Sequence, residues 1–261
     1  MNIINKAGKA IDLLKTKYLM LFKQKVYHGK KYKIKYLLEC NKNSNDILIL
    51  FTACTREGQK ARYNYIRTVE EFNCNKLFIL DDFGFDQRGA YYLGKDKDFS
   101  ILKDVESLIE EVCTKVNSKK EIYIGSSKGG YAALFFGVKR YNVTIIAGAP
   151  QYRLGDYLTL PNHKQIINYI MGDESKSSVE VLNVLMENRL KENDNRDNFI
   201  YLHYSTEEET YKSDLEPLIN TLDSLNIKKS YDKHNYESHS ELTKYFPQYI
   251  KRILREEHNL K

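Results

Sequence analysis

Short apolar runs alternate along this chain with longer segments whose apolar positions recur every three or four residues. DILILFT (46–52), KLFILDD (76–82), EIYIGS (121–126), VTIIAGAP (143–150) and NFIYLHYS (198–205) are apolar almost throughout. That pattern predicts strands buried on both faces. KKSYDK (228–233) reads as a weaker strand. Helical spacing predicts helices over 61–72, about 100–117, 131–141, much of 160–192, 213–226 and about 239–257. Strands alternating with helices predict an α/β fold with a mostly parallel central sheet and helices on both faces. One domain over 1–261 is expected, with a basic helical segment at 1–35 and a helical cap insertion at about 155–195. Sites in such sheets lie outside the carboxyl ends of the strands. Here those are the segments after 52, 82, 126, 148 and 205.

One of these segments carries a chemical signal. In YIGSSKGGYAAL (123–134) an apolar strand stops at Gly125 and an apolar helix begins at Tyr131. Gly125-Ser126-Ser127-Lys128-Gly129 fits G-x-S-x-G, the strand-to-helix turn that lifts a nucleophilic serine clear of the backbone. Glycines on either side remove Cβ atoms where strand and helix approach each other. The helix N-terminus behind Ser127 offers unpaired N–H groups to a developing oxyanion, with the Lys128 amide as one donor. A second donor is expected from Thr52-Ala53-Cys54, with Ala53 or Thr52 as candidates. Cys54 lacks an elbow-like turn and reads as a half-buried structural thiol. The phosphate-binding loops GxxxxGK[ST] and GxGxxG are absent.

A serine hydroxyl needs a base, and in this layout the acid and then the histidine follow it in the chain. The loop YDKHNYESHSELTKYF (231–246) supplies His234 and His239, and His239, on a polar turn just before the last helix, is favoured. His28 precedes the sheet, His163 lies in the insertion, His203 falls within a strand and His258 near the end. The acid is expected in STEEETY, where Glu207, Glu208 and Glu209 compete. The usual three-residue offset from the strand favours Glu208, with Asp214 less well placed.

Composition adds exclusions. No apolar run approaches the length of a membrane span, and the N-terminus lacks the apolar block of a signal peptide. Cys40, Cys54, Cys74 and Cys113 are scattered without CxxC spacing, so reduced thiols, a cytoplasmic location and no metal are expected. The formal net charge of +6 is uneven: residues 1–35 hold ten lysines against the single acid Asp12. With Ile4, Ile11, Leu14, Tyr18, Leu21 and Phe22 at helical spacing, this segment suits a helix packed on the domain, the ordinary outcome of such a stripe. It also suits an amphipathic helix on an anionic membrane surface. No nucleic-acid-binding motif is present.

RYNYIRT (62–68), RGAYYLG (88–94), IGSSKGGYAALFFG (124–137) and AGAPQYRLGDYL (147–158), in that order, resemble a bacterial α/β-hydrolase-fold family. It comprises capsule-biosynthesis proteins of the XcbB/CpsF type and capsule O-acetyltransferases of the meningococcal serogroup A kind. A serine-hydrolase-like component of the accessory Sec export system resembles the chain more distantly. The similarity spans about 46–250. It implies acetyl transfer from acetyl-CoA to a hydroxyl of a capsular polysaccharide through an acetyl-serine. Ser127 would then be nucleophile, His239 base and Glu208 acid, in a position where relatives commonly carry Asp. An inner-membrane surface or a capsule-synthesis complex would be partners of the basic N-terminus. Arg62, Arg67, Arg88, Arg153 and Lys128, near predicted strand ends, would form an anion-binding rim for CoA phosphates or a polyanionic acceptor. The same fold and triad also suit a serine esterase or deacetylase, or a non-catalytic assembly partner.

Overall fold

The computed structural model describes residues 18–192, 197–225 and 227–260. Eight strands form one sheet: β1 (Lys25–His28), β2 (Lys33–Glu39), β3 (Asp46–Phe51), β4 (Asn75–Ile79), β5 (Lys120–Ser126), β6 (Thr144–Gly148), β7 (Phe199–Ser205) and β8 (Lys228–His234). Their order is β1-β2-β4-β3-β5-β6-β7-β8. From β4 to β8 every pairing is parallel. β1 and β2 add an antiparallel hairpin at one edge.

The alternation of side chains along each strand divides the core in two. Ile47, Ile49 and Phe51 of β3 join Tyr123, Ile145 and Leu202 on one face. The helices Ile101–Lys115 and Lys128–Gly137 and the insertion between β6 and β7 cover it. Leu48, Leu50, Ile122, Ile124 and Ile146 point the other way, beneath the helix Leu242–Glu256. Both faces are therefore dry, which explains why the central strands read as unbroken apolar runs.

Two expectations change. The helical assignment for 1–35 fails over Lys25–Glu39, which forms the β1–β2 hairpin; residues 1–17 lie outside the described residues. Lysines alternate there with Ile34 and Tyr36, and the turn is held by the Asp104 carboxylate, which accepts from the N–H groups of Lys30, Lys31 and Tyr32. A Cβ at Gly29 would lie 2.3 Å from that carboxyl carbon. At the end of the preceding segment, Leu21 and Phe22 are exposed rather than packed on the domain. The helix expected over 61–72 shrinks to Ile66–Val69, with Tyr65 before it in a left-handed conformation and the Asn64 side chain accepting from the Ala53 amide. Among the described residues no helix is long and apolar enough to cross a membrane.

Candidate active site

Ser127 sits between β5 and the helix Lys128–Gly137 with φ 51° and ψ −124°. This conformation is strained for a residue with a Cβ and is held by its surroundings. The flanking glycines make it feasible: a Cβ on Gly125 would lie 2.1 Å from the Gly129 carbonyl oxygen, and one on Gly129 would lie 2.7 Å from that of Phe51. The Ser127 amide donates to Gly148 O at 2.8 Å, tying the elbow to β6. Next to it, the Ser126 hydroxyl is bonded to Tyr65 OH.

Ser127 Oγ accepts a hydrogen bond from Gln151 Nε2 at 3.2 Å, and Gln151 Oε1 accepts from Tyr91 OH at 3.2 Å. Gln151 and Tyr91 are buried. Neither was singled out from sequence, although both lie in the RGAYYLG and AGAPQYRLGDYL segments. Their roles arise only through space.

Lys128 departs from the rim expected of it. Its side chain is fully buried, with Nζ 2.7 Å from Asp81 Oδ2 and 3.4 Å from Thr52 Oγ1. Asp81 also accepts from the amides of Ala90 and Tyr92. The lysine thus anchors the elbow to the loop after β4, and only its amide remains relevant to an oxyanion. The loop after β3 also differs from expectation. The Ala53 amide donates to Asn64 Oδ1 at 2.9 Å and the Thr52 amide to Tyr92 OH at 3.1 Å. Both amides named as the second oxyanion donor are already donated. Burial pushes the Cys54 thiol up, against the pull of Lys128 and Arg88, so it remains a protonated thiol.

Beyond β7 the three glutamates separate by burial. Glu208 is buried, whereas Glu207 and Glu209 are exposed. Glu208 Oε1 accepts from Thr210 Oγ1 at 2.8 Å, and Oε2 lies 3.5 Å from His239 Nδ1. Burial, reinforced by the Glu208 charge, holds the Tyr236 hydroxyl well above its usual range. Glu209 Oε2 accepts from the His239 amide at 3.1 Å and so steadies the turn that carries the imidazole. Both His239 ring nitrogens are buried without a hydrogen-bond partner among the described residues. Ser127 Oγ bonds to Gln151 and not to His239. The alternatives lie elsewhere: His234 Nε2 is 3.3 Å from Asp232, and Asp214 Oδ1 accepts from the amides of Tyr152 and Arg153.

The insertion reaches the same area. His163 stacks on Tyr157 at 4.5 Å between ring centres. Burial, and after it the neighbouring Arg88 cation, pushes its imidazole down to about 4. Arg88 is no open rim cation: it is buried, pairs with Asp86 at 2.6 Å, and donates to Thr55 O and Asn162 O. It fastens the loop after β3 to the insertion. Arg62 and Arg67 are exposed, and Arg153 pairs with Asp156 at 2.8 Å.

No family model matches the chain, and no curated protein sequence does. Solved structures do. The capsule O-acetyltransferase of Neisseria meningitidis serogroup A superposes with a TM-score of 0.73 at 25% identity, over 85% of this chain and 91% of that one. A chain of the Gap123 glycosylation-associated complex of Streptococcus agalactiae gives 0.71 at 18% identity, over 90% of this chain and 46% of that one. The Staphylococcus aureus serine hydrolase FphF gives 0.64 at 14% identity, over 88% and 94%. The fold is that of the α/β hydrolases, and the chain resembles the meningococcal capsule O-acetyltransferase, among neighbours that include serine hydrolases.

Proposed function

We propose that this protein is an O-acetyltransferase that moves acetyl from acetyl-CoA to a hydroxyl of a bacterial capsular or surface polysaccharide. The observation that carries this reading is the buried Glu208 facing His239 Nδ1 at 3.5 Å, together with the strained elbow at Ser127, in a fold shared with a capsule O-acetyltransferase. A structure of that enzyme in complex with CoA, with a TM-score of 0.70, supports CoA as the carrier of the acyl group.

In this reading His239 takes the Ser127 hydroxyl proton as Oγ bonds to the thioester carbonyl carbon. Glu208 holds the imidazole tautomer and stabilises its cation. The Lys128 amide, at the helix N-terminus, donates to the oxyanion. On collapse the carbon–sulfur bond breaks, and the proton on His239 passes to the departing thiolate. The sugar hydroxyl then gives its proton to His239 and attacks the acetyl-serine, and Ser127 leaves with that proton. Tyr157, His163 and the Arg88–Asn162 tie wall the site on the insertion side and limit water, which would otherwise hydrolyse the ester. The exposed Arg62 would meet phosphate or a polyanionic acceptor. We place the reaction in the cytoplasm, with the lysine-rich N-terminus toward the inner membrane surface or a capsule-synthesis complex.

The test is direct trapping. Protein incubated with acetyl-CoA and no acceptor, then acid-quenched and digested, carries acetyl on the Ser127 peptide. Acetyl on other residues only would contradict the reading. A serine esterase, with water as acceptor, would instead turn over acetylated glycans without forming new ones.

A further inference from the structure

Cysteine spacing predicts no metal. The structure gathers a different set of donors. β7 and β8 run parallel with His203 opposite Asp232 and Ser205 opposite His234. Asp232 and His234, two residues apart, share one face of β8. His203 shares it as well, packing with Phe246 and Tyr249 of the last helix, while His234 packs with Tyr245. Asp232 Oδ2 lies 2.6 Å from His203 Nδ1 and 3.3 Å from His234 Nε2, and the three donor atoms all fall within 4.8 Å of one another.

We infer that His203, Asp232 and His234 form a site for one zinc-class divalent ion, which would clamp β7 to β8. Two imidazole nitrogens and one carboxylate oxygen are a borderline donor set that suits zinc, whereas magnesium and calcium prefer oxygen alone. Donors on a tetrahedral zinc stand about 3.3 Å apart, given metal–ligand bonds of about 2.0–2.1 Å. The Asp232–His234 pair already has that spacing. The Asp232–His203 contact would open by about 0.7 Å to reach it. Arg252 donates to the other carboxylate oxygen, Oδ1, at 3.2 Å, so Oδ2 is left for the ion while the carboxylate stays oriented. His203 is wholly buried, but the side chains of Asp232 and His234 are 21% and 34% exposed. That side is the route of entry and the place of a fourth, water ligand. β7 leads into Glu208 and β8 into His239, so the ion would set the spacing of these two loops. The inference stands independently of the reaction proposed above.

The test uses the full-length protein stripped with a chelator, then dialysed against zinc and washed. Metal analysis is expected to give one ion per chain. Zinc is expected to raise the thermal midpoint, and cobalt to give the strong visible band of a tetrahedral site. Asp232→Asn and His234→Ala, at partly exposed positions where folding is easily checked, should each weaken zinc binding by about 100-fold or more and abolish the midpoint shift. Substoichiometric binding by the wild type would overturn the inference and leave Asp232 as a carboxylate bridging two imidazoles. Equal binding by wild type and both variants would overturn it too, since the ion would then sit elsewhere, for example on the exposed Cys40.

Discussion

Glu208 Oε2 lies 3.5 Å from His239 Nδ1, although the carboxylate follows β7 and the imidazole follows β8. The pair is separated in sequence and joined by the parallel register of two strands, and burial distinguishes Glu208 from the two glutamates beside it.

Glu208→Gln keeps the shape but cannot stabilise an imidazolium. It is expected to lower kcat by about 10⁴-fold, the scale of loss when the acid of a Ser-His-Asp triad is neutralised. Glu207→Gln should leave kcat within about twofold, as an exposed substitution away from the reacting groups does. Steady-state rates of thiol release check both. Equal losses in the two variants would remove Glu208 from its role.

Gln151 brings a carboxamide N–H to 3.2 Å from Ser127 Oγ, close to where negative charge develops. With the Ala53 and Thr52 amides donated elsewhere, Gln151→Leu is expected to lower kcat by about 10²-fold, the scale of one lost oxyanion-type donor. KM for acetyl-CoA should change little. A rise in KM at constant kcat would assign Gln151 to ground-state binding instead.

The ion pair of Lys128 and Asp81 is fully buried. Asp81→Leu leaves an unpaired ammonium in the core and is expected to destabilise the fold by about 3–5 kcal/mol. Combining it with Lys128→Met should recover much of that loss. Urea denaturation of the two proteins measures the difference.

Burial pushes His163 and His258 down to about 4 from the ordinary 6.5. Between those values the unfolded chain binds protons that the folded chain refuses. Stability from these two groups is therefore complete above pH 6.5, falls as acid is added, and levels off near pH 4. The urea midpoint is expected to drop between about pH 7 and pH 5, and less in His163→Phe/His258→Phe. Identical profiles would show that carboxylates alone govern the acid limb.

How much of this could be read from sequence differs from one part to the next. The central strands were legible because both faces of the sheet are dry, which leaves unbroken apolar runs such as DILILF. The β1–β2 hairpin was hidden because its edge position lets lysines occupy alternate sites. The sharp turn at Ser127 was legible because the close approach of strand and helix admits only glycine at 125 and 129. The direction of Lys128 was not: an adjacent residue on a turn can point outward or inward, and only the distant Asp81 decides it. Gln151, Asn64 and Asp232 carry no local pattern, since each owes its role to a partner on another segment.

Acetyl transfer through Ser127 is read out by thiol release from acetyl-CoA, by wild type and Ser127→Ala, with and without capsular oligosaccharides. Release is expected to require Ser127 and to rise when an acceptor glycan is added, with acetyl appearing on the glycan. No release under any condition, or release unchanged in Ser127→Ala, would contradict that transfer.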